Sequence, residues 1–255
     1  MMMFTTQKLD SYFRGFLDIE GFKDADASMN GLQVDNDGSE LGKIVFAVDA
    51  CMEVFKRAAD AGAGMVFVHH GLFWGKPISI EGSHRQRVKF LMDNNIALYV
   101  AHLPLDHHPR LGNNAVLAEI LGIKDPEPFG IYHGRKVGYK GMLSQPLTID
   151  EAARRVSYGG RPLGVFPFGK KENLSCAVVS GGAISGTMEA LREGIDLYVT
   201  GETSHTVYHP ALEGGLNIIA EGHYSTETWG VRRVMEECVN QLGIDAEFID
   251  VPTGL

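Results

Sequence analysis

The feature that most constrains this 255-residue chain is an apolar run of strand length that keeps returning. Ile44-Val45-Phe46-Ala47-Val48, Met65 to Val68 and Ala97 to Ala101 are continuous apolar stretches, separated by helix-spaced segments at Met52 to Ala61 and Arg85 to Asn94. A strand exposed on one face alternates apolar and polar residues, so continuous runs predict a sheet covered on both faces. Strands separated by helices predict parallel βαβ units and an α/β fold. An amphipathic helix, Thr6 to Leu17, opens the chain and is followed by a loop ending in Asn30-Gly31-Leu32-Gln33-Val34.

The second half repeats the theme. Strands are expected at Lys136 to Leu143, Leu163 to Phe168, Cys176 to Ser180, Leu197-Tyr198-Val199 and Asn217 to Ala220, with helices at Ile149 to Val156 and Ser185 to Glu193. The helix Thr226 to Leu242 and the strand Phe248 to Val251 close the chain. Ile44 to Asp49, a helix and Val66-Phe67-Val68 before His69 match Ala177 to Gly182, a helix and Leu197-Tyr198-Val199 before Thr200-Gly201-Glu202. The next strand leads into Ala101-His102 in one copy and Glu221-Gly222-His223 in the other. The expectation is two similar, duplicated α/β domains; ordinary α/β regularity is the alternative. The turn-rich stretch Pro126 to Gly134 places their boundary, giving 1–128 and 129–255, with a return of the C-terminal helix and strand to the first domain left open.

Composition excludes more than it assigns. With 23 basic and 32 acidic residues the net charge is −9, and the basic doublets Arg154-Arg155, Lys170-Lys171 and Arg232-Arg233 are isolated. A nucleic-acid scaffold needs a basic stripe, so none is expected as a partner. Cys51, Cys176 and Cys238 form no C-x-x-C. Cys176 and Cys238 read as buried thiols in a reducing compartment. The N-terminal Met-Met-Met-Phe-Thr-Thr-Gln-Lys lacks the apolar core of a signal peptide. No run approaches the ~18 apolar residues of a membrane span. A soluble, cytoplasmic protein with no membrane partner is expected.

Ligands gather at the carboxyl ends of strands in parallel α/β sheets. His69-His70, His102 with Asp106, Glu202 with His205, and His223 with Glu227 all follow predicted strands. Each motif alone has a plain reading as a hydrogen-bonded loop, a helix cap or a surface pair. Their coincidence at strand ends points to metal. Adjacent histidines can serve two ions, and residues four apart on a helix face one pocket. Asp106 sits in Leu105-Asp106-His107-His108-Pro109, which reads as loop. Imidazoles with carboxylates suit zinc, iron, manganese or nickel. His102, Glu202 and His205 are candidates to orient a ligand or transfer a proton, against an orienting hydrogen bond for His102 and a solvated helix N-terminus for the other two. Trp74 is expected in the core, with a wall over a bound ring as the alternative. Gly181-Gly182-Ala183-Ile184-Ser185-Gly186 reads as a tight turn rather than a phosphate cradle.

Several segments together resemble one family. They are His69-His70-Gly71-Leu72-Phe73-Trp74, His102-Leu103-Pro104-Leu105-Asp106, Leu111-Gly112-Asn113-Asn114, Gly222-His223-Tyr224-Ser225-Thr226-Glu227 and the earlier Asn30-Gly31-Leu32-Gln33-Val34. The family is the NIF-three-like one, whose members are often labelled GTP cyclohydrolase 1 type 2 homologues. The resemblance implies a duplicated α/β fold, a two-metal site in the cleft between the halves and a toroidal homohexamer. It implies His69, His70, Asp106, His223 and Glu227 as ligands of two divalent transition-metal ions, with Glu227 bridging. Five side chains cannot fill two coordination spheres, and open positions mark catalytic rather than structural sites. The leading expectation is a metal-dependent hydrolase of a small phosphorylated or nucleotide-like molecule. GTP ring opening and a non-catalytic metal-binding assembly or regulatory protein are the alternatives.

Overall fold

A computed structural model describes residues 3–255. Met1 and Met2, part of the N-terminal stretch read for a signal peptide, lie outside the described residues. In chain order the elements are α1 (Thr6–Phe16), β1 (Gly31–Val34), β2 (Lys43–Asp49), α2 (Met52–Asp60), β3 (Met65–His70), α3 (Gly82–Asp93) and β4 (Ala97–Val100). Next come α4 (Leu103–His107), α5 (Asn113–Leu121), β5 (Ile123–Tyr132), β6 (Arg135–Leu147), α6 (Ile149–Val156), β7 (Gly164–Phe166) and β8 (Asn173–Val179). Then α7 (Gly186–Arg192), β9 (Leu197–Thr200), α8 (Tyr208–Gly214), β10 (Asn217–Ala220), α9 (His223–Leu242) and β11 (Asp245–Phe248) complete the chain.

The chain forms two compact units. One comprises the chain up to Leu105 with Val231–Val251, and the other Asp106–Gly230 with Pro252–Leu255. The first unit holds a 5-stranded sheet in the order β1-β4-β3-β2-β11. β2, β3, β4 and β11 run parallel, and β1 is antiparallel to β4. One face carries Phe46, Phe67 and Tyr99 under Phe13 of α1, whose ring lies 4.7 Å from Tyr99 and 5.0 Å from Phe67. The other packs Val45, Val66 and Val68 against Val54, Phe55 and Leu91 of α2 and α3. Both faces are covered, which is why these strands are apolar at every position. Thr5 starts α1 by accepting a hydrogen bond from the Lys8 amide.

The second unit holds a 6-stranded sheet in the order β5-β6-β8-β9-β10-β7. Its β8, β9 and β10 are parallel, while β6 pairs antiparallel with β8 and β7 with β10. Val178, Val199 and Ile219 pack under Leu117, Leu121, Ala152 and Val156 of α5 and α6. Thr148 and Glu151 close a reciprocal capping box at the start of α6. The order β7-β8-α7-β9-α8-β10 repeats β1-β2-α2-β3-α3-β4, with an antiparallel first strand against the last in both.

Three expectations change. The Asn30–Val34 segment is no simple loop, because Gly31–Val34 is strand β1; the sheets are therefore mixed rather than purely parallel. Pro126 to Gly134 is no linker, and a break at 128/129 would fall inside β5. Pro126 and Pro128 lie in this edge strand, where a missing N–H is harmless. His133 and Gly134, with φ of 46° and 81°, make the tight hairpin turn into β6. Asp106 lies on the short helix α4 rather than in a loop. Cys176 and Cys238 are buried free thiols, and burial raises both, Cys238 to about 12. Among the described residues no helix is long and apolar enough to cross a membrane.

Candidate metal centre

In the first unit β3 runs straight into His69 and His70, and strand alternation aims the two rings differently. His69 is fully buried, and its Nδ1 donates to the carbonyl of Ala101, 2.9 Å away. His70 is half-buried and donates from Nδ1 to Asp49 Oδ1 at 2.8 Å; Asp49 ends β2 and stands opposite His70 in register. His102, just past β4, donates from Nδ1 to Asp26 Oδ1 at 2.9 Å. Each acceptor is a carbonyl or carboxylate oxygen, so the proton belongs on Nδ1 and the ring lone pair on Nε2. His69, His70 and His102 offer ligand atoms within 4.8 Å of one another.

The Asn30-to-Val34 motif acquires a physical role here. Asn30 Oδ1 accepts from the His102 amide at 2.7 Å, and its Nδ2 donates to Asp26 Oδ2 at 2.8 Å. Burial would raise the Asp26 carboxyl, but hydrogen bonds from His102, Asn30 and the Ser28 amide hold it below the usual carboxylate range. Gln33 Oε1 accepts from the amides of Leu72 and Phe73 at 2.8 and 3.1 Å, pinning the loop after His70. Gly71 must be glycine, since a Cβ there would meet Val100 and Gln33 at 2.5 and 2.6 Å. Trp74 is not a core residue: it is 39% exposed, its Nε1 donates to the Gly71 carbonyl, and its ring meets His102 edge-on at 5.1 Å.

The second unit supplies carboxylates. Asp106 is buried and accepts at Oδ1 from Asn113 Nδ2 and from Ser180 Oγ, each at 2.9 Å. Asn114 donates to the Asp106 carbonyl and accepts from the Ser180 amide at 2.7 Å. The Leu111-to-Asn114 motif is thus a clamp that fixes Asp106, and both asparagines are fully buried. His223 opens α9 and Glu227 follows one turn later on the same face, with His223 Nε2 and Glu227 Oε1 3.2 Å apart. His223 Nδ1 donates to Glu202 Oε1 at 2.6 Å. Burial opposes an imidazolium at His223, yet Glu227 and then Glu202 outweigh it and raise the ring to about 9. The pocket therefore favours positive charge between its carboxylates.

Gly181, in the left-handed region at φ 66°, lies directly against this pair. A Cβ there would run into Glu227 Oε1 and come within 3.2 Å of His223 Nε2. The Gly181–Gly186 segment is a turn that makes room for the donors, and the helix after it has only 7 residues.

The sequence-derived candidates thus divide. His69, His70 and His102 form the first unit's donor set, and Asp106, Glu202, His223 and Glu227 meet in or beside the second unit's. His205 joins neither and lines a separate cavity with Phe166, Phe168 and Tyr208. Asp26, Asp49, Asn113 and Ser180 had no assigned role from the sequence, and Gly181 only that of a tight turn. The position of Asp49 at a strand end was the one available signal. Imidazoles held in one tautomer by a carboxylate or carbonyl, beside buried carboxylates, fit a borderline divalent metal.

Residues 4–253 match the sequence profile of the family described as Duf34/NIF3 (NGG1p interacting factor 3). The GTP cyclohydrolase 1 type 2 homolog of Archaeoglobus fulgidus is 42% identical over 240 residues, covering 94% of this chain and 95% of that protein. The GTP cyclohydrolase 1 type 2 homolog of Treponema pallidum (strain Nichols) is 38% identical over 285 residues, covering 98% of this chain and all of that protein. A crystal structure of a Thermus thermophilus protein superposes with a TM-score of 0.88 at 40% identity, covering 99% of this chain and 100% of that one. Profile, identity and fold agree over the whole length: the chain belongs to the Duf34/NIF3 (NGG1p interacting factor 3) family.

Proposed function

We propose that His69, His70, Asp106, His223 and Glu227 together hold two divalent transition-metal ions per chain, and that the protein hydrolyses a small phosphorylated or nucleotide-like molecule there. The observation that carries the reading is the common orientation of the histidines. His69 and His70 each give Nδ1 to a carbonyl or carboxylate oxygen, which leaves the Nε2 lone pair as the metal donor; His223 gives Nδ1 to Glu202 and turns Nε2 to Glu227, where a cation would take the place of the Nε2 proton. Neither unit supplies a full donor set by itself. The first offers neutral imidazoles, and the second offers the carboxylates that balance dications.

When bound, such ions lower the pKa of a coordinated water and polarise a phosphoryl or carbonyl oxygen. The chain's own contribution is orientation and proton handling. Asp49 and Glu202 fix the rings of His70 and His223. His102, with its Nδ1 proton held on the low-lying carboxylate of Asp26, has an Nε2 suited to accept a proton. Zinc, iron, manganese and nickel all fit the donor chemistry.

The test is elemental analysis joined to a hydrolysis screen. Protein reconstituted with zinc, manganese or iron should hold close to two ions per chain and turn over one phosphate or nucleotide compound. GTP belongs in the screen, because relatives carry the name GTP cyclohydrolase 1 type 2 homolog. Asp106→Ala should abolish turnover. No bound metal after reconstitution would end the proposal; two ions without turnover of any compound would leave a metal-binding assembly. We also propose a homohexamer, for which light scattering at micromolar concentration should report six chains; a monomer would contradict it.

A further inference from the structure

The second unit contains a cavity of about 210 Å³ that the metal donors do not use. Its walls follow from local sequence. Phe166 ends β7, the Phe168 amide donates to the Phe166 carbonyl, and Pro167 forms the bend between them, so the two rings stand side by side 5.8 Å apart. Tyr208 meets Phe168 edge-to-face at 5.0 Å and Phe166 at 6.5 Å. Ile218 of β10 pairs with Phe166 in the sheet and forms the floor. The rim is polar and comes from the segment after β9. There Ser204 caps a single 3-10 turn, His205–Val207, which leads into Tyr208. Thr203 and His205 are exposed at this rim, and their side chains hydrogen-bond to no other described residue.

We infer that this cavity binds the planar heteroaromatic ring of a small molecule, packed against the contiguous Phe166, Phe168 and Tyr208 rings and read at its polar edge by Thr203 and His205. Rings in edge-to-face array present both faces and edges to a flat guest, which an aliphatic guest cannot exploit. Idle polar groups beside such walls are the usual means of fixing a ligand's orientation. The volume lies below the roughly 300–1,000 Å³ of drug-sized pockets, so it suits one ring system and not a whole nucleotide. The rim is also one residue from Glu202, which holds His223, so a ring seated here is tied through one short segment to the metal donors. His205 is then a residue of recognition, and the inference deepens the hydrolase reading by naming the ring portion of the substrate.

The experiment is ligand-observed saturation-transfer NMR on the full chain, metal-free and metal-loaded, with adenosine, uridine, ribose and toluene as probes. One or both nucleosides should saturate through the base protons, and ribose should give nothing. Tyr208→Ala should weaken nucleoside binding by roughly tenfold, as loss of one ring contact does elsewhere. His205→Ala should weaken nucleosides and leave toluene unchanged. Both side chains are exposed, so neither change threatens folding. Absence of nucleoside binding, equal binding by Tyr208→Ala, or toluene bound as well as the nucleosides would overturn the inference. So would a change in mass by light scattering in Tyr208→Ala without ring binding, which would make the cavity a contact between copies. Ring binding by a protein that takes up no metal would leave this site standing and remove the hydrolase reading. Two ions with no ring binding would do the reverse.

Discussion

The two units share a chassis and differ in what they mount on it. In the first, the candidate metal-binding or proton-transfer groups sit at the ends of β3 and β4 and are all imidazoles: His69, His70 and His102. In the second, the end of β9 carries Thr200-Gly201-Glu202 instead, and the remaining donors come from helices: Asp106 on α4, and His223 with Glu227 on α9. Neutral imidazoles supply directional lone pairs but no charge. Carboxylates supply charge, and burial makes that charge costly unless a cation answers it. Under the proposed function, one unit would contribute direction and the other charge compensation. The supporting residues differ as well: Asp49 and Asp26 steer rings in the first unit, while Asn113 and Ser180 hold a carboxylate in the second.

The largest test of that division is Glu227→Gln. Removing the buried carboxylate proposed to bridge two dications leaves their repulsion unscreened, so at least one ion per chain should be lost. Metal analysis beside circular dichroism decides it, and full occupancy in the variant would break the assignment of charge to the second unit.

Gly181→Ala comes next. A left-handed backbone costs an alanine about 1–2 kcal/mol, and the added carbon would meet Glu227 and His223. Urea unfolding should show at least that loss, with metal uptake impaired in the folded fraction. A variant as stable as the parent with full metal content would show that the second unit is less tightly built than described.

Smaller, and matched between the units, are Asp49→Asn and Glu202→Gln. Each removes the partner of one imidazole, His70 or His223, at 2.8 and 2.6 Å. Losses of roughly 10- to 100-fold in metal affinity are expected for both, as for other residues that orient metal-bound histidines. An effect confined to one unit would show that the histidine of the other does not contact metal.

The change with the smallest expected effect on the metal donors separates support from function. Asp196 accepts from the Leu174 and Ser175 amides and from Lys170, and is buried like Asp26. Burial raises its carboxyl, but Lys170 and the two amides hold it below the usual range. A lowered folded value means its stabilisation is present above the unfolded value of about 3.9 and is lost as pH falls through the folded one. Asp196→Asn should therefore be less stable than the parent in urea at pH 6 to 7, by about 1–3 kcal/mol. The gap should close in acid, and metal content should be unchanged. A gap that persists below pH 3 would assign the effect to packing instead of charge.

Much of this was legible in the residues themselves. Continuous apolar runs marked β2, β3, β4 and β8 to β10, because a strand covered on both faces has no polar position to offer. The donor residue types stood at strand ends in both halves, and spacing alone put Glu227 one turn from His223. Local pattern could not say which ring nitrogen each histidine uses, because that depends on Ala101, Asp49, Asp26 and Glu202, set 21 to 76 residues away in sequence. Nor could it separate the edge strand β5 from a turn-rich linker, since prolines suit both and only pairing with β6 distinguishes them. It grouped His205 with Glu202 because they are three residues apart, whereas the backbone turn at Ser204 places His205 at the exposed rim of an aromatic cavity and leaves Glu202 on His223. Residue type and period are local properties and survive in sequence; tautomer, register and side-chain direction are set by partners that only the folded chain brings within hydrogen-bonding reach.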